Sequence, residues 1–315
     1  MQLPKLIKVS LLLSLLALGP ASAQTTAAEY NSQGITKSNN GDKLGGITDY
    51  TKAIALDPGF VEAYTNRGHS YKEVGNYEAA MADFDKALTL KPDDWYTLSY
   101  RAELKHLRGD FDGAIADFSE VLEIVPMADN AYTGRAAVRL DKGQVRAATA
   151  DYSKLIKLAP KAWSYHLRGS ALIIGGNFSR ALADYETCIS LTKEESEKAY
   201  PQITRYLLLR RLNRPDARAE LVQAVPHWPD DWGKSVASYL LGDLPEEKFF
   251  AKAAQGQAKS LQGQQCEAFY YAGMNRILAG DPAAAVFFEK CVATNLKDFS
   301  EYSWARAELK RSAKP

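Results

Sequence analysis

"YTNRGHSYKEVGNYEAAMADFDKALTLKPD", residues 64–93, reads as two short amphipathic helices joined by a tight turn at Gly75-Asn76 and closed by Pro92. Proline returns at 58, 92, 126 and 160, every 34 residues. Counting back from each proline, Tyr30, Tyr64, Leu98 and Tyr132 take the fourth position of the unit, and Gly41, Gly75, Gly109 and Gly143 the fifteenth. Ala80, Ala114 and Ala148 take the twentieth, and Tyr50, Phe84, Phe118 and Tyr152 the twenty-fourth. A fifth copy starts one residue early, with Tyr165, Gly169, Gly176, Ala181 and Tyr185, and has Lys193 where the closing proline would stand. Each residue type has a mechanical reason. Glycine reverses the chain, a small residue lets antiparallel helices approach, an aromatic fills the gap between hairpins, and proline ends the second helix.

The pattern resembles the tetratricopeptide repeat (TPR), over Ala27 to Lys193. The resemblance implies an all-α fold, a right-handed superhelix or α-solenoid of helical hairpins, with a concave groove that holds a protein or peptide. Residues 24–193 then form five TPR units, and 194–315 a degenerate TPR-like helical region ending in a capping helix.

Residues 1–23 read differently. Lys5 and Lys8 precede an apolar run from Val9 to Leu18 and the triplet Ala21-Ser22-Ala23, the pattern of a secretory signal peptide. Cleavage after Ala23 leaves Gln24 as the mature N-terminus, and no cysteine precedes Cys188 to accept a lipid. The expectation is a soluble, non-lipidated periplasmic protein with no membrane segment after cleavage. Net charge is +1 for the whole chain, and the leader carries two lysines and no acid, so the mature chain is near neutral. That balance gives no reason to expect nucleic acid as partner.

Arginine stands at the seventh position in Arg67, Arg101, Arg135 and Arg168, with Asp83, Asp117, Asp151 and Asp184 always 16 residues later. The turn lies midway, so each pair should face across its hairpin at one height and hold it in register as an ion pair.

After Lys193 the period fades. "ITRYLLLRRLNRPDARAELVQAV" (203–225) reads as a degenerate hairpin with Asn213 as an N-cap, and Trp232–Leu241 as a short helix closing on Gly242. Gln255–Gln265 reads as a Gln- and Gly-rich connector. Residues 269–295 read as one more hairpin, and 297–311 as a final helix capped by Asp298 or Ser300. Phe269-Tyr270 with Gly273, Gly280-Asp281, Val292–Asn295, and Phe299 with Glu301 resemble the terminal segment of Gram-negative envelope TPR adaptors of the new-lipoprotein-I type. That resemblance implies partners among cell-wall hydrolases, their proteases or secretion machinery, and homodimerisation.

Enzyme signatures are absent: no His-Glu-x-x-His, Gly-x-Ser-x-Gly, phosphate-binding loop or Cys-x-x-Cys. No cofactor is expected. His69, His106 and His166 fall on the first-helix face that lines a TPR groove, but His166 stands two units beyond His106, ~20 Å away; they read as groove polarity, and no metal is expected. Tyr96 and Trp163 occupy or neighbour the second position on that face, either as anchors for a partner segment or as packing against the preceding hairpin. Asn31, Thr65, Ser99, Asn130 and Thr133 complete the groove set with short polar groups. Cys266 and Cys291 fall at one end of the terminal hairpin and are expected to form a disulfide worth roughly 3 kcal/mol; Cys188 is expected as a buried free thiol.

The reading that results is a non-catalytic exported scaffold binding a protein or peptide, in cell-envelope maintenance. Two alternatives stand beside it: a structural assembly factor of an outer-membrane or polysaccharide-export complex, and an enzyme with an unrecognised site in the C-terminal helices.

Overall fold

A computed structural model describes residues 25–255 and 258–313; the leader and its cleavage site lie outside the described residues. All described regular structure is helical. The first ten helices pair as α1 (Ala27–Asn39) with α2 (Lys43–Leu56), α3 (Val61–Glu73) with α4 (Tyr77–Leu90), α5 (Trp95–Leu107) with α6 (Phe111–Ile124), α7 (Asp129–Asp141) with α8 (Val145–Leu158), and α9 (Ala162–Ile174) with α10 (Phe178–Leu191). Seven more follow: α11 (Ala199–Arg211), α12 (Ala217–Ala224), α13 (Trp232–Leu241), α14 (Glu246–Ala253), α15 (Ala258–Ala279), α16 (Ala284–Ala293) and α17 (Ser300–Ser312). The described residues fall into two compact units, divided between Thr97 and Leu98, which are described separately.

Turn chemistry explains the hairpins. At the fifteenth position Gly143 holds φ +79°, a left-handed conformation that favours glycine. An Asx cap follows directly in most units: Asp42, Asn76, Asp110 and Asn177 each accept a backbone N–H from three residues on, at 2.8, 3.3, 3.0 and 3.4 Å. Helix contact inside a hairpin depends on small residues, and a Cβ on Gly68 would lie 2.7 Å from the Phe84 ring.

The Arg–Asp ladder is bidentate. Arg67 donates to Asp83 at 2.7 and 2.8 Å, Arg101 to Asp117 at 2.9 and 3.0 Å, Arg135 to Asp151 at 2.8 and 3.1 Å, and Arg168 to Asp184 at 2.6 and 2.8 Å. A third donor reaches back to the preceding hairpin. In the first unit Arg67 bonds Thr51 Oγ1 at 3.1 Å. In the second, Arg135 bonds Ser119 Oγ at 2.9 Å and Arg168 bonds Ser153 Oγ at 3.2 Å. One side chain thus sets register within a hairpin and between hairpins. No arginine serves the first hairpin, where Lys37 and Lys52 meet Asp49 instead, at 2.6 and 3.2 Å.

In the second unit one apolar core runs from Leu172, Ala181 and Tyr185 of the fifth hairpin through α11, α13 and α15 to Trp304 and Ala305 of α17, and a separate smaller cluster joins Ala136, Ala148, Tyr152, Leu155 and Ala171. Stacked rings of Trp232, Phe249 and Tyr239 tie α13 to α14. Three sequence expectations are corrected. The connector expected over 255–265 is helix from Ala258, and Gly263 is buried in it because the Phe299 ring lies where a Cβ would project, 2.7 Å away. Asn213 is not an N-cap: it takes φ +55° in the turn after α11, and α12 begins after Asp216. Helix α17 begins after Phe299 without a side-chain cap, so neither Asp298 nor Ser300 plays that part.

Candidate functional site

The residues assigned to a groove divide by position. Those at the second position face solvent: Tyr96 is 56% exposed, stacked on Trp95 with ring centroids 3.6 Å apart, Trp163 is 40% exposed, and Asn130 is exposed. Those at the fifth position are largely covered, since Asn31, Thr65 and Ser99 retain 8%, 6% and 5% of their surface. In the first unit Asn66 donates to Asn31 Oδ1 at 3.1 Å and the Thr65 and Thr97 hydroxyls meet at 2.5 Å. This row bonds the first helices to one another, and it is therefore not a free polar surface for a ligand. Thr133 is half-buried and its hydroxyl donates to the Asp129 carbonyl at 2.9 Å.

The histidines go to separate places. His69 is half-buried on α3 of the first unit. His106 Nε2 lies 2.7 Å from Asp141 Oδ2, linking α5 to α7. His166 stands edge-on to Tyr185 at 5.4 Å and faces the segment leading into α17, and burial lowers its pKa below the usual imidazole value. It is not on an open groove, because α17 packs against α9.

That packing is what the sequence did not announce. Glu308 of α17 is buried and accepts from Arg211 at 2.6 and 3.0 Å and from Arg311 at 2.5 and 3.2 Å. Arg311 also donates to the Ile173 and Ile174 carbonyls at the end of α9, at 3.1 and 3.2 Å, where a cation suits the helix dipole. Trp304 Nε1 donates to Ser170 Oγ at 2.9 Å. The two arginines hold the Glu308 carboxyl below its ordinary value against the opposing effect of burial. Held this way, α17 forms one wall of a pocket of about 550 Å³ whose other walls come from α5, α7, α8 and the end of α9. Arg306 and Lys310 of α17 and Lys297 before it line the pocket, opposite Leu140, Val145 and Ile174.

On the far side of Trp304 lies a smaller pocket of about 290 Å³ with two buried acids, Glu267 and Glu301. Tyr200 and Trp232 both donate to Glu267 Oε2 at 2.9 Å, and Tyr271 donates to Glu301 Oε1 at 3.1 Å. Desolvation and the neighbouring Glu301 push Glu267 up to about 8, and burial raises Glu301 as well. The donors that reach them, two phenols and an indole, are neutral, so no cation among these contacts offsets the charge. The only advance sign was an acid inside each of two aromatic-rich stretches, "CEAFYY" and "FSEYSW".

The disulfide expected between Cys266 and Cys291 is not formed in the structure. All three cysteines are free and buried, yet the Sγ atoms of Cys266 and Cys291 face each other at 3.4 Å. Burial pushes the Cys188 thiol up. Among the described residues no group of three or more His, Cys, Asp or Glu converges as a metal site, and no helix is long and apolar enough to cross a membrane.

Residues 61–94 and, separately, 164–195 match the tetratricopeptide repeat family, so the chain carries these repeats. A tetratricopeptide repeat protein from Parabacteroides merdae, 15% identical, superposes with a TM-score of 0.55 over 89% of this chain and 98% of its own. PilF of Pseudomonas aeruginosa, 14% identical, does so with a TM-score of 0.54 over 72% of this chain and 97% of its own. At such identity the likeness is one of fold, and the fold is the all-α hairpin array of TPR proteins.

Proposed function

We propose that the protein is a non-catalytic scaffold that captures a segment of a partner protein on the first-helix faces of its repeats. The observation that carries this reading is the 550 Å³ pocket in the second unit, bounded by α5, α7, the end of α9 and the firmly held α17. Repeat proteins bury the remaining faces of each hairpin against its neighbours, which leaves this side for recognition. The exposed ring of Trp163 in the second unit, and separately that of Tyr96 in the first, are anchors of the kind that dominate binding energy. Replacing both by Ala should weaken capture of partner from an envelope extract by about 2 kcal/mol, roughly thirtyfold, with the circular-dichroism spectrum unchanged. Undiminished capture would remove the aromatic pair from the binding surface.

Export to the periplasm follows from the leader, and a role in cell-envelope maintenance follows from the envelope-adaptor resemblance, as does homodimerisation. In an oxidising compartment the facing thiols of Cys266 and Cys291 close to a disulfide. N-terminal sequencing and non-reducing peptide mapping of the exported protein check both statements. A mature chain that does not begin at Gln24, or free thiols in unreduced protein, would count against them. An assembly factor for an outer-membrane or polysaccharide-export complex would use the same surface and would co-purify with that complex. One oxygen of Glu267 takes a phenol and an indole donor and one oxygen of Glu301 a phenol, which suits a structural role better than acid–base catalysis.

A further inference from the structure

Glu308 and Arg311 of α17 bind Arg211 and the end of α9, and Ser303, Arg306, Ala307 and Lys310, recurring at three- and four-residue intervals, line the pocket together with the already engaged Arg311. Arg306 and Lys310 are one turn apart and exposed, and so is Lys297 on the approach to the helix. None of the three forms an ion pair with a carboxylate among the described residues. The Arg306 guanidinium lies 5.8 Å from the Tyr302 ring centre, a cation–π contact that occupies no carboxylate. Facing them, Leu140, Val145 and Ile174 are apolar, and Asp141 is already bound to His106. Asp298 is the one other acid lining this pocket.

We propose that this pocket binds an acidic segment of a partner protein, its carboxylates against Lys297, Arg306 and Lys310 and an aliphatic side chain against Leu140, Val145 and Ile174. The inference rests on the partner-binding reading above and names the chemistry of the partner. Charge complementarity selects an acid, and the apolar wall selects a peptide over a phosphate chain. A nucleic acid would need a longer basic track, and the chain as a whole carries a net charge of only +1. Arg306 and Lys310 stand on a helix fixed by Arg211 and Arg311 on the buried Glu308, so they are presented without a prior ordering cost.

The test is to pan a random decapeptide display library on the purified full chain and on an Arg306→Glu/Lys310→Glu variant. The parent should enrich peptides that combine Asp or Glu with an aliphatic residue, and the variant should lose that enrichment. A synthetic peptide from the selected set, followed by fluorescence anisotropy, should bind the variant about tenfold or more weakly, and its affinity for the parent should fall with added salt. Both substituted residues are exposed, and a thermal melt matching the parent shows that the variant folds; Lys297→Glu, outside the helix, should weaken the same peptide in the same direction. Enrichment of neutral or basic peptides on the parent overturns the acidic assignment and leaves the scaffold reading standing. No enrichment overturns both. Tighter binding of an oligothymidylate or of anionic vesicles than of the selected peptide also overturns it.

Discussion

Glu267 accepts two neutral donors on one oxygen and shares its pocket with Glu301. Its pKa, about 8 in the folded chain, lies above the 4.5 of a free side chain, so between these values the folded state holds a proton that the unfolded state has released. The stabilising proton is fully effective below about 4.5, its effect declines across the window, and it is gone above about 8. Stability should therefore fall toward alkaline pH, by roughly 2–4 kcal/mol from this residue. Glu267→Gln keeps an oxygen for Tyr200 and Trp232 and removes the titration. Urea melts at pH 5 and pH 8 should converge in this variant and diverge in the parent, with Glu301 supplying what slope remains. Parallel profiles in the two proteins would show that Glu267 does not hold the proton.

At the scale of the helical hairpin, register depends on the arginine that bonds its own aspartate and the hydroxyl of the hairpin before. Asp151 is buried and takes Arg135 at 2.8 Å and Arg139 at 2.5 Å. Removing it by Asp151→Ala strands two partly buried guanidinium groups and should cost roughly 2–4 kcal/mol in chemical denaturation. Replacing the pair together, Arg135→Met with Asp151→Leu, should recover part of that loss; a double variant as unstable as the sum of the singles would mean the two do not act as a pair. These pairs were legible because a 16-residue offset across a turn fixed at Gly143, and at its counterparts, leaves little freedom. Two elements were not legible. Gly263 lowers local helix propensity, but the Phe299 ring packed on it outweighs that cost. The docking of α17 on α9 has no periodic signature at all, since a long-range contact obeys no local spacing. Asn31, Thr65 and Ser99 failed as surface groups for a related reason. A short polar side chain looks the same in sequence whether it meets solvent or the next helix.

Across the whole molecule, two kinds of stability operate. In the first unit each hairpin touches only its neighbours, so energy is local and the ends can open alone. In the second, the fifth hairpin and α11 to α17 share one core, which must be lost together. Native-state hydrogen exchange should find α1 and α2 exchanging first, with α11 and α15 exchanging last and at a common free energy. Earlier exchange in α11 than in α2 would contradict that order. The anchoring of α17 also has a temporal meaning. Ser170 must wait 134 residues for Trp304 to be synthesised, on the order of ten seconds at ordinary ribosomal rates. Throughout that interval the apolar side chains that will meet α17 are uncovered. A chain that stops before residue 300 lacks Trp304, Glu308 and Arg311, and with them the contacts that cover Ser170 and the end of α9.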